Sequence, residues 1–245
     1  MEINYMGIQA KDQDLSRSSA ALYSLKYFEN KMKVGLGTGS TAEALVREIA
    51  ARNLQNELDL TFVSTSTRTT KLAESLGLSI SKLSDVKYLD LVLDGTDEFD
   101  SELNLIKGGG GALLQEKIVA SSADSMKVIA SISKKVDDLG KFPLPIEIIC
   151  FGWASTLQRL DNLFASSGVI FNSKSMRTED NKFFVTDEGH FIVDYSFEKI
   201  HDPSALEQAI NQIVGVVECG LFVGLCDQAV TGTRDGIIEV FDCND

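Results

Sequence analysis

Three times in its first half the chain runs a short apolar strand pattern into a turn and then into a helical pattern, and this repetition restricts the fold more than any other feature. The first unit joins Met32 to Leu36 through a glycine turn to a helix around Ala44 and Leu45. The second joins Leu60 to Val63 to a helix near Thr70 to Leu76. The third is Leu89 to Leu93, then an aspartate turn and a glycine run, then a helix from Ala112 to Ala123, with a further strand at Lys127 to Ala130. Strands alternating with helices predict an α/β fold with a mostly parallel sheet, and such sheets take ligands beyond the carboxyl ends of their strands. Leu15, Leu22, Leu25 and Phe28, with Ala21, predict a helix before the first strand. Ser40, with Glu43 three residues on, reads as a capping box.

After Lys134 the texture changes, because Phe142-Pro143-Leu144-Pro145 stiffens the chain into an extended connection. A second, smaller α+β layer is expected there. Its elements are a strand at Ile146 to Phe151, a helix at Ala154 to Phe164, and a hairpin pairing Phe183 to Val185 with Phe191 to Val193 across Asp187 to His190. A helix starts at Asp202-Pro203 and feeds a strand at Val216-Val217. The turn at Arg234 to Gly236 and the strand Ile237 to Phe241 return to the first layer. The expected division is residues 1–137 with 226–245, and residues 138–225.

A formal net charge of -13 over 245 residues opposes nonspecific binding to nucleic acid and to anionic membranes. No apolar run approaches the roughly 20 residues of a membrane span, and acidic Glu2 stands where a secretory signal carries basic residues. The cytoplasm is the expected location. Cys150, Cys219, Cys226 and Cys243 lack metal-binding spacing, and Cys219 and Cys226 read as strand packing. The only histidines, His190 and His201, lie far in sequence from the glycine loops, so a histidine relay or a zinc site is poorly supplied.

Chemistry is concentrated elsewhere. Asp94-Gly95-Thr96-Asp97-Glu98 sits at the end of a strand, followed by Lys107, the glycines 108–111, and Glu116 early in a helix. A lysine beside bare backbone builds an anion cradle, and carboxylates on both sides can move protons. That combination points to an enzyme acting on a phosphorylated metabolite. Gly35 to Ala42 is an incomplete dinucleotide pattern: Ser40 stands in place of the third glycine, and no ribose-binding acid follows the second strand. What remains is a helix N-terminus with the hydroxyls of Thr38, Ser40 and Thr41, which favours an anion.

With these segments in order, the chain resembles ribose-5-phosphate isomerase of the type A family. The match rests on Gly37 to Thr41, Asp94 to Glu98, Lys107 to Leu113, Glu116-Lys117-Ile118, Ser133-Lys134 and Gly140 to Pro145. Thr96 departs from the alanine common there. The resemblance implies interconversion of D-ribose 5-phosphate and D-ribulose 5-phosphate in the pentose phosphate pathway, with no metal or organic cofactor. It also implies a Rossmann-like domain, a ferredoxin-like lid domain and a homodimer. Glu116 matches the general base. Asp94, Asp97, Lys107 and Lys134 match polar residues lining the sugar site. Thr38, Gly39, Ser40 and Thr41, the turn through Gly95 and Thr96, and Lys107, Gly108, Gly109 and Gly110 match substrate-contacting loops.

Chemically, isomerisation through an enediolate needs a base reaching two carbons and a partner for the oxygen that gains charge. Glu116 can be the first, and Lys107 with the glycine N–H groups the second. Asp94 is the candidate for shuttling hydroxyl protons and assisting ring opening. Two other readings are a sugar-phosphate sensing module without catalysis and an enzyme of CoA-transferase type using a glutamate nucleophile.

Overall fold

The strand-turn-helix units lay down a six-stranded sheet in the order Ile238–Asp242, Gln228–Gly232, Met126–Ser131, Leu91–Asp94, Lys33–Leu36, Thr61–Ser64. The structure, a computed structural model, describes residues 5–167 and 169–243. Every pairing in this sheet is parallel except that of the Ile238–Asp242 edge with Gln228–Gly232. Successive strand residues point to opposite faces, so Leu93, Ile129 and Val230 join one buried cluster while Val92, Val128 and Ala229 join another. The helices Tyr5–Ser24 and Ser40–Ala51 pack together on the first face. The Leu113–Ala120 helix packs on the second, where a side chain at Gly35 would strike Val92 and Val119.

The second layer is a four-stranded antiparallel sheet in the order Val216–Cys219, Leu144–Ile148, Phe191–Phe197, Phe171–Met176. With the helices Trp153–Ser167 and Pro203–Asn211 it makes the β-α-β-β-α-β arrangement of a ferredoxin-like unit around Leu160, Phe164, Tyr195 and Ile210. Asp202 caps the second helix, accepting from the Ala205 N–H at 2.9 Å, with Pro203 at the first helical position. A small three-stranded ladder of Leu221–Phe222, Leu105–Ile106 and Glu98–Phe99 ties the two layers together. No helix among the described residues is long and apolar enough to cross a membrane.

The expected first helix forms, with small residues on its buried face, and three other local expectations are corrected. Leu15 and Leu22 are 50% and 47% exposed, and the first helix instead buries Ser16, Ala20, Ala21 and Ser24. It lies so close to the sheet that a Cβ at Gly232 would meet the Ser16 carbonyl at 2.1 Å, and only small residues fit that face. The Ser40 capping box does not form. Gly39 is the cap, with φ of 106°, and the Glu43 carboxylate is taken by Arg68 at 2.6 Å.

In the second layer the strand is Leu144–Ile148 rather than Ile146 to Phe151, with Phe151 left 93% exposed. Pro145 lies within that strand, and its carbonyl accepts from the Gly220 N–H at 2.8 Å. The expected hairpin is also absent. Lys182–Phe183 pairs with Thr178–Glu179, and the Phe191–Phe197 strand pairs with its neighbours in the four-stranded sheet. The turn closes between Thr186 and His190, but Phe184 lies against Gly111 instead of extending a strand.

Candidate active site

The Leu91–Asp94 strand delivers Asp94 to the carboxyl edge of the sheet, fully buried. Its Oδ1 accepts from the N–H groups of Thr38 (2.9 Å) and Gly95 (2.7 Å). A Cβ at Gly37 would fall 2.0 Å from that oxygen, so the glycine turn after the first strand makes room for this carboxylate. Lys107 meets it from the other side. The Lys107 backbone N–H donates to the Gly220 carbonyl at 2.8 Å, which fixes the residue at the seam between the layers. Its ammonium, 2% exposed, donates to the Gly95 carbonyl at 2.6 Å and lies 3.0 Å from Asp94 Oδ2 and 3.3 Å from Glu116 Oε1.

Glu116 comes from the first turn of the Leu113–Ala120 helix and is buried. Its Oε2 has no hydrogen-bond partner. Asp94 Oδ2 likewise has none with good alignment, and the 3.0 Å approach of Lys107 is an ion-pair contact.

Burial disfavours charge, and the three groups divide that cost unequally. Burial lowers the affinity of Lys107 for its proton, but Asp94 and Glu116 outweigh it and hold the ammonium above its usual range. Burial raises Asp94, opposed by Lys107 and by the N–H groups of Gly95 and Thr38. Glu116 is pushed up to about 8, first by burial and then by Asp94 and Asp97, with Lys107 opposing. The site is therefore a fixed cation between one well-anchored carboxylate and one that exchanges its proton near neutral pH.

A cleft of about 120 Å³ opens over this triad. Thr38, Gly39, Ser40, Thr41, Gly95, Thr96, Asp97, Lys107, Gly108, Gly109, Gly110, Glu116 and Lys134 all line it, so the two loops and the helix converge. Asp94 lies behind Lys107 and not on the cleft wall, which places it badly for the direct shuttling of substrate protons expected of it. Asp97, half-buried, is the carboxylate of the turn that lies on the wall, and its Oδ2 accepts from the Gly109 N–H at 2.7 Å.

The Thr38 hydroxyl is turned inward, 2.8 Å from Thr65 Oγ1 and 2.8 Å from Ser66 Oγ, leaving Ser40 as the exposed hydroxyl of its loop. Arg17, Ala130 and Ser131 line the cleft as well, and the sequence patterns did not single them out. Ser131 ends a strand at the same sheet edge as Asp94, a usable signal. Arg17 sits within a helix and has none.

The second layer also reaches the site. The Asp187 carboxylate accepts from the Thr67 N–H at 2.8 Å, and Gln115 donates to Glu188 at 2.7 Å. Among the described residues, the group best arranged for a metal is Glu207, Glu218 and Cys219. Lys117 Nζ already lies 2.7 Å and 2.8 Å from its two carboxylates, so a cation is in place.

Residues 61–236 match the family model of ribose 5-phosphate isomerase A (phosphoriboisomerase A). The chain is 48% identical over 232 residues to the ribose-5-phosphate isomerase A of Dinoroseobacter shibae, covering 95% of this chain and 89% of that one. It is 47% identical over 231 residues to that of Jannaschia sp., covering 94% and 88%. Among solved structures, a ribose 5-phosphate isomerase from Plasmodium falciparum superposes with a TM-score of 0.86 at 33% identity, over 93% of this chain and 97% of that one. A D-ribose-5-phosphate isomerase in complex with phospho-erythronic acid superposes at 0.84 with 36% identity, over 92% and 97%. The chain belongs to the ribose 5-phosphate isomerase A family.

Proposed function

We infer that this chain interconverts D-ribose 5-phosphate and D-ribulose 5-phosphate in the pentose phosphate pathway, with Glu116 carrying the proton between C2 and C1 of an enediolate. The observation that carries the assignment is the Glu116 carboxylate itself. It is buried, it lines the cleft, one oxygen is unpartnered, and its proton affinity is raised into the range useful for a base. A base near neutral pH can take a carbon-bound proton and return it to the adjacent carbon. Lys107, 3.3 Å from that carboxylate, supplies the positive charge that the enediolate oxygen needs.

In this reading Asp94 anchors Lys107, and Asp97 takes the hydroxyl-facing role. The N-terminus of the Ser40–Ala51 helix, with Arg17 and Lys134, provides a positive end for the phosphate. Binding the phosphate away from the reacting carbons lets its binding energy orient the sugar. Residues 1–137 with 226–245 form the catalytic unit and residues 138–225 the lid. The protein works in the cytoplasm as a homodimer, which light scattering on a sizing column tests.

The deciding experiment mixes chelator-treated protein with ribose 5-phosphate in D₂O and follows ribulose 5-phosphate and deuterium at C1 by NMR. Turnover with deuterium incorporation is expected, and Glu116→Gln is expected to lower it by roughly 10²- to 10⁴-fold with ligand affinity largely kept. Tight binding without turnover points to a sensing module, and a thioester trapped on Glu116 to a CoA transferase. Near wild-type turnover in a folded Glu116→Gln chain removes Glu116 from the mechanism.

A further inference from the structure

The glycine run is held from outside the catalytic layer. Arg177 follows the Phe171–Met176 strand of the ferredoxin-like unit, and its backbone is fixed there: its N–H donates to the Ile192 carbonyl at 2.8 Å and its carbonyl accepts from the Phe184 N–H at 2.9 Å. The guanidinium forks onto Asp194, with Nε 3.0 Å from Oδ2 and Nη2 2.5 Å from Oδ1. Nη1 reaches across to the glycine run and donates to the carbonyls of Gly108 at 2.7 Å and Gly109 at 3.3 Å. The pair is mostly shielded, with side chains 16% and 19% exposed.

Those two carbonyls belong to the peptide planes between Gly108 and Gly109 and between Gly109 and Gly110. Peptide planarity ties the direction of each carbonyl to that of the N–H on its far side. The first plane shows where this leads: its N–H, that of Gly109, donates to Asp97, a carboxylate on the cleft wall. The second plane carries the N–H of Gly110, another residue of the wall. Glycine peptides rotate at little steric cost. Within the run the Gly111 N–H donates to the Gly108 carbonyl at 2.9 Å and helps hold the first plane, whereas the carbonyl of the second plane, that of Gly109, is met by Arg177. A reversed plane would present a carbonyl oxygen to an anion.

We propose that Arg177, clamped by Asp194, is a positioning residue of the active site, which braces the glycine run and above all holds the Gly109–Gly110 peptide so that its N–H end and not its carbonyl serves the cleft. The proposal rests on the isomerase reading and deepens it, since the Gly109 N–H holds Asp97 and the Gly110 N–H is the one that serves the anionic enediolate beside Lys107. Arginine suits the task because its planar fork can hold a carboxylate with one edge while another nitrogen serves backbone carbonyls. A lysine ammonium cannot hold that geometry.

The test compares two probes on wild type, Arg177→Met and Arg177→Lys. Phospho-erythronic acid carries a carboxylate where the enediolate charge develops, and erythritol 4-phosphate has the same phosphate end without it. Arg177→Met is expected to weaken phospho-erythronic acid by roughly tenfold or more and erythritol 4-phosphate by less than about threefold. The kcat should fall by roughly 10- to 100-fold with KM nearly unchanged, and Arg177→Lys should recover part of the loss.

An Arg177 that merely staples the two layers weakens both probes alike, and that result, or no loss for either, overturns the proposal. If Arg177→Met does not fold, the same comparison on Arg177→Lys decides. A wild-type chain that fails to turn over ribose 5-phosphate instead overturns the isomerase reading, so the two failures are distinct.

Discussion

Replacing Glu116 by glutamine should make the protein a poorer catalyst and, at alkaline pH, a more stable one. The folded chain holds the Glu116 proton up to about pH 8, against an ordinary carboxyl value near 4.5. The folded state therefore binds more protons than the unfolded state across that interval. The stability in question is fully present below 4.5 and is lost as pH rises through about 8. At about 1.36 kcal/mol per pH unit, the interval is worth at most ~5 kcal/mol.

Relaxation around the newly formed charge and its attraction to Lys107 reduce the expected value to a few kcal/mol. Glutamine keeps the shape and the contact with Lys107 but has no proton to lose. Urea unfolding of both chains at pH 5, 7 and 9, followed by far-ultraviolet circular dichroism, should show the variant gaining on wild type as pH rises. A difference that stays flat within about 0.5 kcal/mol over that range refutes the claim that burial sets the proton affinity of Glu116.

The kcat/KM should rise about tenfold per pH unit below pH 8 and level off above it, as Glu116 ionises in the free enzyme. Lys107→Met should lower kcat by roughly 10²- to 10³-fold and move that plateau to higher pH, because it removes the cation that favours the ionised carboxylate; a downward shift contradicts this. Gly37→Ala should destabilise by at least about 1–3 kcal/mol and cripple turnover, since the new methyl competes with Asp94 for the same space; thermal unfolding and the NMR assay measure both. Asp202→Ala removes a helix cap and should cost about 0.5–2 kcal/mol in urea unfolding with turnover unchanged.

Much of the catalytic layer was legible because its signals are local. An apolar strand ending in Asp94 places that residue at the sheet edge whatever else the chain does, and a glycine run followed by a helix brings Glu116 to the same edge. Asp202-Pro203 was readable for the same reason, since a cap is made with the next three residues. The rest depends on partners far away in sequence. Leu15 and Leu22 follow helical spacing, yet the approach of Gly232 decides that Ser16 and not a leucine faces the sheet.

Glu43 stands at the right distance from Ser40 for a capping box, but Arg68 takes it. The hairpin was suggested by alternating aromatics, yet Phe184 is drawn to the bare face of Gly111. Arg17 and Arg177 carry no local pattern at all, because what places them is where a helix crosses a sheet and where one layer touches the other.

The ladder at the seam has a mechanical corollary. Lys107 hangs from Gly220, and Gly220 in turn donates to Pro145, so the catalytic cation is stitched into the backbone of both halves. Swinging the ferredoxin-like half outward as a rigid door would drag the ammonium off its carboxylates. The lid role proposed for residues 138–225 then needs only local movement, at the rim where Asp187 and Glu188 are held by side-chain hydrogen bonds while the seam stays shut.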